Sequence, residues 1–286
     1  MRSMNPEARN NTIDPTDPEG VAIQIRNLTL EYETHSGHLT ALADVDLDVR
    51  PGEFLCIVGP SGCGKTTMLR ILAGLETNYT GETKFIGKLS NHPANAMVFQ
   101  ERSVFPWMTV EQNVQFGLRS SLLSGAERQR IAQEWIERVG LRDFTRAYPH
   151  ELSGGMIQRV SIARAFATDP AILLMDEPFA ALDEQIKLLM EEELIRIWEG
   201  SSKTVVYVTH SVEEAVSLAD RIVVMTFRPG RIKASVEVKF SRPRNIMSLR
   251  HEPAFHEMVY HIWEVLREEV DRARAAELEV SRKGIG

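Results

Sequence analysis

Two stretches near the start of the chain alternate apolar and polar residues: VAIQIRNLTLEY from Val21, and LADVDLDVRPGE from Leu42 after a glycine-containing loop. A period of two fits strands with one face covered, as in an antiparallel sheet. FLCIVG, from Phe54, is apolar throughout, as a strand buried on both faces of a parallel sheet must be. KTTMLRILAGL then changes to a helical period, which predicts Met68, Leu69, Leu72 and Leu75 on its apolar side. Helical patterning returns from about Thr109 to Tyr148, including ERQRIAQEWIERVG. Beyond Pro149 the pattern predicts a helix in ELSGGMIQRVSIARAFA, a buried strand in AILLMD, a helix around Glu184 to Glu199, a strand in TVVYVT and a helix from near Val212. Strands alternating with helices predict a mostly parallel α/β sheet. Near the end, Phe255, Met258, Val259, Ile262, Leu266 and Val270 recur at helical spacing, a face for packing or for a partner.

Composition narrows the setting. Residues 1–20 are rich in Asn, Asp, Pro and Glu without apolar periodicity, which predicts a disordered tail. At 286 residues, 43% hydrophobic and 26% charged, the chain has ample core for one large α/β domain or two modest ones. A net charge of -7 argues against nucleic acid as the main partner. Two cysteines are too few for a disulfide framework, and Cys56, inside an apolar run, fits a buried small hydrophobe. The apolar runs are strand-length, with no signal peptide or spanning helix among them. The expectation is a cytoplasmic chain; work at a membrane would need another subunit to supply the spans. No internal repeat is present.

The clearest chemistry is GPSGCGKTT: Gly59, Pro60, Ser61, Gly62, Cys63, Gly64, Lys65, Thr66 and Thr67. It fits G-x-x-x-x-G-K-[ST] between a strand and a helix, the setting that gives this motif its meaning. The glycines let the backbone curl so that N–H groups surround a phosphate. Lys65 is then placed for the β- and γ-phosphates, and the Thr66 hydroxyl for Mg²⁺. Cys63 fills a slot that only requires a small residue.

A second constellation gathers at strand ends. AILLMDEPF sets Asp176 and Glu177 after an apolar run, at the edge where open α/β sheets bind ligands. Two adjacent acids there fit an ion and a reaction: Asp176 for Mg²⁺, Glu177 to orient or deprotonate an attacking water. Gln100 follows AMVF and is able to bond both the metal and a water. His210 ends VVYVTH and is placed for a γ-phosphate.

The Ser-Gly-Gly turn at residues 153–155 opens another helix, and free N–H groups there make a second anion site. With LSGGM, Leu152 to Met156, these elements in this order resemble the ATP-binding-cassette ATPases, from Val21 to about Ile232. The resemblance implies a P-loop NTPase core of α/β class with an antiparallel β subdomain and an inserted α-helical signature subdomain. It implies an ATPase domain over 21–240, its helical subdomain at about 101–165, and a C-terminal helical extension over 241–286. GPSGCGKT becomes the Walker A loop, ILLMDE the Walker B strand with catalytic Glu177, Gln100 the Q-loop glutamine, Ala181–Asp183 the D-loop and His210 the switch histidine. Tyr32 is a candidate for stacking on adenine, although an ordinary strand tyrosine fits its position nearly as well.

Two positions depart from the commonest pattern: Met156 stands where Gln is usual, and Ser211 where Asp often follows the histidine. LSGGM-x-QR, with FPWMTVEQNV after the Q-loop and RPGRI near the end, resembles the importer subgroup for nitrate, sulfonates, taurine and similar solutes. That implies ATP and Mg²⁺ as cofactors and a homodimer. It also implies a membrane permease and an extracytoplasmic solute-binding protein as partners, with the chain on the cytoplasmic face of the membrane. Family resemblance also resolves the second anion site: Ser153, Gly154 and Gly155 of one chain would meet the ATP held by Walker A of another. Ser103 to Val114, directly after Gln100, is the expected permease contact, although Phe105, Pro106, Trp107 and Met108 could also fill the subdomain's own core. The competing class, a soluble cassette ATPase acting on DNA or ribosomes, usually carries two cassettes, a coiled-coil insertion or a basic arm. A P-loop kinase or GTPase has no role for LSGGM.

Overall fold

The computed structural model describes residues 22–34, 37–86, 94–100, 104–201 and 203–283. The tail at 1–20, and Ser103 at the start of the expected permease contact, lie outside them. Two alternating segments form β1 (Ile23–Thr34) and β2 (Gly37–Val49), which pair antiparallel; β4 (Thr80–Phe85) joins the other edge of β1. Burial along β2 alternates through Ala43–Val49, as a one-faced strand requires.

The second sheet has six strands: β3 (Phe54–Val58), β5 (Asn95–Val98), β6 (Ile172–Asp176), β7 (Thr204–Thr209), β8 (Arg221–Met225) and β9 (Ile232–Glu237). Their order is β5-β6-β7-β3-β8-β9, parallel except for the β8–β9 pair. Every residue of β3, β6 and β7 is buried. Successive side chains go to opposite faces, so Phe54, Cys56 and Val58 join one apolar core while Leu55 and Ile57 join another.

The first of these cores is closed by α4 (Gly154–Ala167), α5 (Glu184–Glu199), α6 (Val212–Leu218), α7 (Ile246–Leu249) and α8 (Pro253–Lys283). The second is closed by α1 (Lys65–Leu72) and the antiparallel sheet. A third core joins α2 (Val110–Gly117), α3 (Gly125–Arg138) and α4. Helix α4 contributes to two cores, so its flank is apolar nearly all round.

Two expected core residues lie elsewhere. Leu75 is 58% exposed: α1 ends at Leu72 and Gly74, at φ 71°, turns the chain before Leu75 can continue the stripe. Val270 is 37% exposed, whereas Phe255, Ile262, Leu266, Glu269 and Ala273 are buried. Those five follow steps of three, four and seven, and Val270 lies about 100° around the helix from Glu269. A carboxylate occupies the position where the apolar pattern predicted valine.

Candidate functional site

The parallel strands β3, β6 and β7 end side by side, and their ends carry the chemical residues. A cavity of about 590 Å³ opens there. It is lined by Tyr32, Leu39 and Ala41, by the loop residues Ser61, Gly62, Gly64, Lys65, Thr66 and Thr67, and by Gln100, Glu177 and His210. Arg228 completes the wall.

Gly64 caps α1 at φ 98°, and a Cβ there would come within 2.6 Å of Leu42 Cδ2 and 3.0 Å of the Ala41 carbonyl. Conformation and space both demand glycine. No side chain caps α1, so its first N–H groups stay available to a ligand. Buried Lys65 donates through Nζ to the carbonyls of Gly59 at 2.8 Å and Pro60 at 3.1 Å. Cys63 and Cys56 are both buried and free, as small apolar fillers. Gly59 and Pro60 are buried beneath the loop.

Thr66 Oγ1 donates to Asp176 Oδ1 at 3.0 Å, joining the two motifs across 110 residues. Burial, the largest influence on Asp176, pushes its carboxyl above the ordinary range, and the Thr66 bond and Lys65 pull it back only partly. Glu177 sits at φ 43°, a left-handed backbone uncommon outside glycine. Its N–H bonds Val208 O at 2.9 Å, which carries the chain across β7 at the strand end. There Glu177 Oε2 meets His210 Nδ1 at 3.0 Å and accepts from Gln100 Nε2 at 3.2 Å. Thr66 and Asp176 thus form one hydrogen-bonded pair, and Glu177, His210 and Gln100 meet in a second group.

The donor set at Thr66, Asp176 and Gln100 is oxygen-only, suited to a hard cation such as Mg²⁺. No group of three or more His, Cys, Asp and Glu that could hold a metal exists among the described residues. A cation there would need phosphate oxygens and water to complete its shell, the usual arrangement for nucleotide-linked Mg²⁺.

Ser153, Gly154 and Gly155 are not among the described residues lining this cavity. Exposed Ser153 caps α4, its hydroxyl accepting from Met156 N–H at 3.3 Å. Gly155 is buried, and a Cβ on it would come within 2.8 Å of Ile186 Cγ2 on α5, so close helix packing needs a glycine there. The Met156 side chain packs against the core of the helical region. Ser211 caps α6 by accepting from Glu214 N–H at 3.2 Å, the task an aspartate would also perform.

The segment after Gln100 divides its aromatics. Trp107 is 69% exposed and Pro106 is exposed, while Phe105 packs 4.5 Å from Phe116 with Arg164 over its ring. Fully buried Asn113 holds this loop: Oδ1 accepts from Phe105 N–H, and Nδ2 donates to the carbonyls of Phe105, Met108 and Thr109. Asn113 and Arg228 carry structural weight that the motifs did not single out. RPGRI marks Arg228 only as part of a subgroup pattern, and its place at the cavity depends on strand order.

The ABC transporter family model matches residues 42–180. An uncharacterized ABC transporter ATP-binding protein of Methanocaldococcus jannaschii is 46% identical over 264 residues, covering 92% of this chain and 97% of that protein. The nitrate import ATP-binding protein NrtD of Synechocystis is 43% identical, over 86% of this chain and 95% of its own. An aliphatic sulfonates import ATP-binding protein, SsuB of Bacillus thuringiensis, is 40% identical over 79% and 89%. Among solved structures, a dimeric ATP-binding cassette in a post-hydrolysis state bound to ADP and Pi superposes with TM-score 0.66 at 31% identity, covering 77% of this chain and all of that one.

Proposed function

The chain belongs to the ABC transporter ATP-binding proteins and is an ABC ATPase; from that premise we propose that it drives import of a small anionic solute of the nitrate or sulfonate kind. The observation that carries the reading is the meeting of Gln100, Glu177 and His210 on one side of a phosphate loop whose Thr66 bonds Asp176. Kinship with a nitrate and a sulfonate import protein, each covered over most of its length, supports the solute class.

In this reading Ser61–Thr67 cradle the phosphates of ATP, Lys65 leaves its loop carbonyls to neutralise them, and Tyr32 stacks on the base. Thr66, Asp176 and Gln100 would hold Mg²⁺, which would supply charge neutralisation on the phosphate oxygens. Glu177 takes the proton of the attacking water while its bond to His210 fixes the carboxylate's direction. His210 and Gln100 face the γ-phosphate from the same side. With the Ser153–Gly155 turn absent from this cavity's described lining, the site is completed by a second chain, packed head to tail. A two-fold pair built this way has two equivalent sites. ATP binds the closed pair better than the open one, and hydrolysis reopens it.

Among the described residues no helix is long and apolar enough to cross a membrane. Transport therefore couples to permease subunits, and residues 104–114 of the segment after Gln100, with Trp107 outward, are the contact in this reading. An extracytoplasmic solute-binding protein completes the importer. The test is Glu177→Gln: ATP binding persists and turnover falls by on the order of a thousandfold, as removal of a catalytic base does. Near-normal turnover would refute the role of Glu177. Co-purification with a multispanning membrane protein tests the coupling separately.

A further inference from the structure

One wall of the cavity is unexplained by the motifs. β7 and β8 flank β3 on opposite sides, so the turn after β8 approaches the phosphate loop from the side away from His210. That turn is wedged against the loop. Gly230 N–H bonds Ala41 O at 3.0 Å, Ala43 N–H bonds Gly230 O at 3.0 Å, and a Cβ on Gly230 would meet the Cys63 carbonyl at 2.0 Å. From behind, Phe227 N–H donates to Glu269 Oε2 at 2.9 Å, and Lys233 holds the other oxygen of that buried carboxylate at 2.7 Å. Burial works against ionisation of Glu269, but Lys233 and the Phe227 N–H together outweigh it and hold its pKa low. α8 thus fixes the position of the turn.

Arg228, at the tip, donates through Nε to Gly62 O at 3.0 Å. Its guanidinium lies against the loop: a Cβ on Gly62 would come within 2.6 Å of Nη2. It borders the same cavity as Lys65 and Thr66, and no carboxylate among the described residues pairs with it. A guanidinium is a fork of five donors matched to phosphate oxygens, and the bond to Gly62 uses one of them.

We propose that Arg228 is a nucleotide-binding residue that holds the Gly62 carbonyl through Nε and bonds a phosphate oxygen of the nucleotide through its Nη groups, from the side opposite Glu177. This rests on the cavity being the nucleotide site. Arg228 adds a cation to the phosphate cradle that the motif GPSGCGKT does not encode.

The test is an equilibrium titration of Mg-ADP against wild type, Arg228→Gln, Arg228→Lys and Lys65→Ala, with each melting temperature measured without nucleotide. Loss of one charge-assisted bond is expected to weaken ADP binding by about tenfold in Arg228→Gln. Arg228→Lys, which keeps the charge, recovers part of that loss, and the unliganded melting temperatures of both stay near wild type. Affinity of Arg228→Gln within twofold of wild type overturns the assignment and leaves the cavity reading standing. So does a loss of affinity accompanied in both variants by an unliganded melting temperature clearly below wild type, since the arginine then only latches the loop. Failure of wild type itself to bind ADP removes the cavity reading, and this proposal with it.

Discussion

Helices α1 and α4 both begin at glycine-containing turns, and both starts present free N–H groups, yet they are finished differently. α1 is capped by Gly64 with no side-chain bond, and its first turn opens into a cavity with Lys65 beside it. α4 is capped by the hydroxyl of Ser153, an exposed residue outside that cavity's described lining. At α1 the uncapped helix start and Lys65 border one cavity within the chain. At α4 the Ser153 hydroxyl satisfies the Met156 N–H, and neither Gly154 nor Gly155 is among the described residues lining that cavity. Similar local chemistry acquires different roles from what the fold brings alongside.

Lys65→Ala should break the first site with the largest effect. Losing a charge-assisted contact to phosphate weakens nucleotide binding by on the order of 100-fold, which a titration with ADP measures. The same substitution leaves the α4 turn untouched, so the folded monomer persists. Ser153→Arg should do the converse. It removes the cap of α4, costing about 1 kcal/mol of stability by urea unfolding, and leaves the monomer's ADP affinity within about twofold because Ser153 is away from that cavity. A large fall in monomer affinity would mean that the two sites are not separate.

A smaller effect concerns α5, which packs against the α4 turn. The first turn of α5 sets Ile186 against Gly155, and its Lys187 lies 3.5 Å from Glu214. Glu214 also accepts from Tyr207 and Thr209, the residue before His210. One turn along α5, Glu191 is fully buried against Arg250, 2.8 Å away, with one oxygen unpartnered. Burial outweighs the attraction of Arg250 and Lys187, with Glu214 and Glu184 adding repulsion, and raises its pKa from 4.5 to about 8. Between those values the folded chain holds a proton that the unfolded chain releases. Stability from this group is therefore complete below about pH 4.5 and lost as pH rises through about 8. Glu191→Gln should flatten the fall in unfolding free energy between pH 5.5 and 8.5, measured by urea titration at several pH values. An unchanged slope would show that Glu191 is ionised in the folded chain throughout.

Much of this was legible from period and motif alone. Continuous apolar runs located β3, β6 and β7 because both faces of those strands are buried, and their ends carry Asp176, Glu177 and His210. Pattern could not reveal what depends on sheet order. RIVVM gave no sign that β8 lies beside β3, so nothing linked Arg228 to Gly62 across 166 residues. Nor could it show that Asn113 spends all its bonds on the loop ahead of it, since a polar residue on a helix is usually solvated. Leu75 and Val270 failed for the opposite reason: period assigns a face, but a glycine stop and a buried Glu269 reassign it. Gly155 has a steric reason, contact with Ile186, that the motif reading had no means to supply.

The division of labour between the two helix starts is tested most directly by light scattering with saturating ATP on Glu177→Gln and on the double variant Glu177→Gln/Ser153→Arg. The expected result is a dimer for the first and a monomer that still binds ATP for the second. A dimer of equal stability in both would contradict a site completed by the Ser153 turn of a second chain.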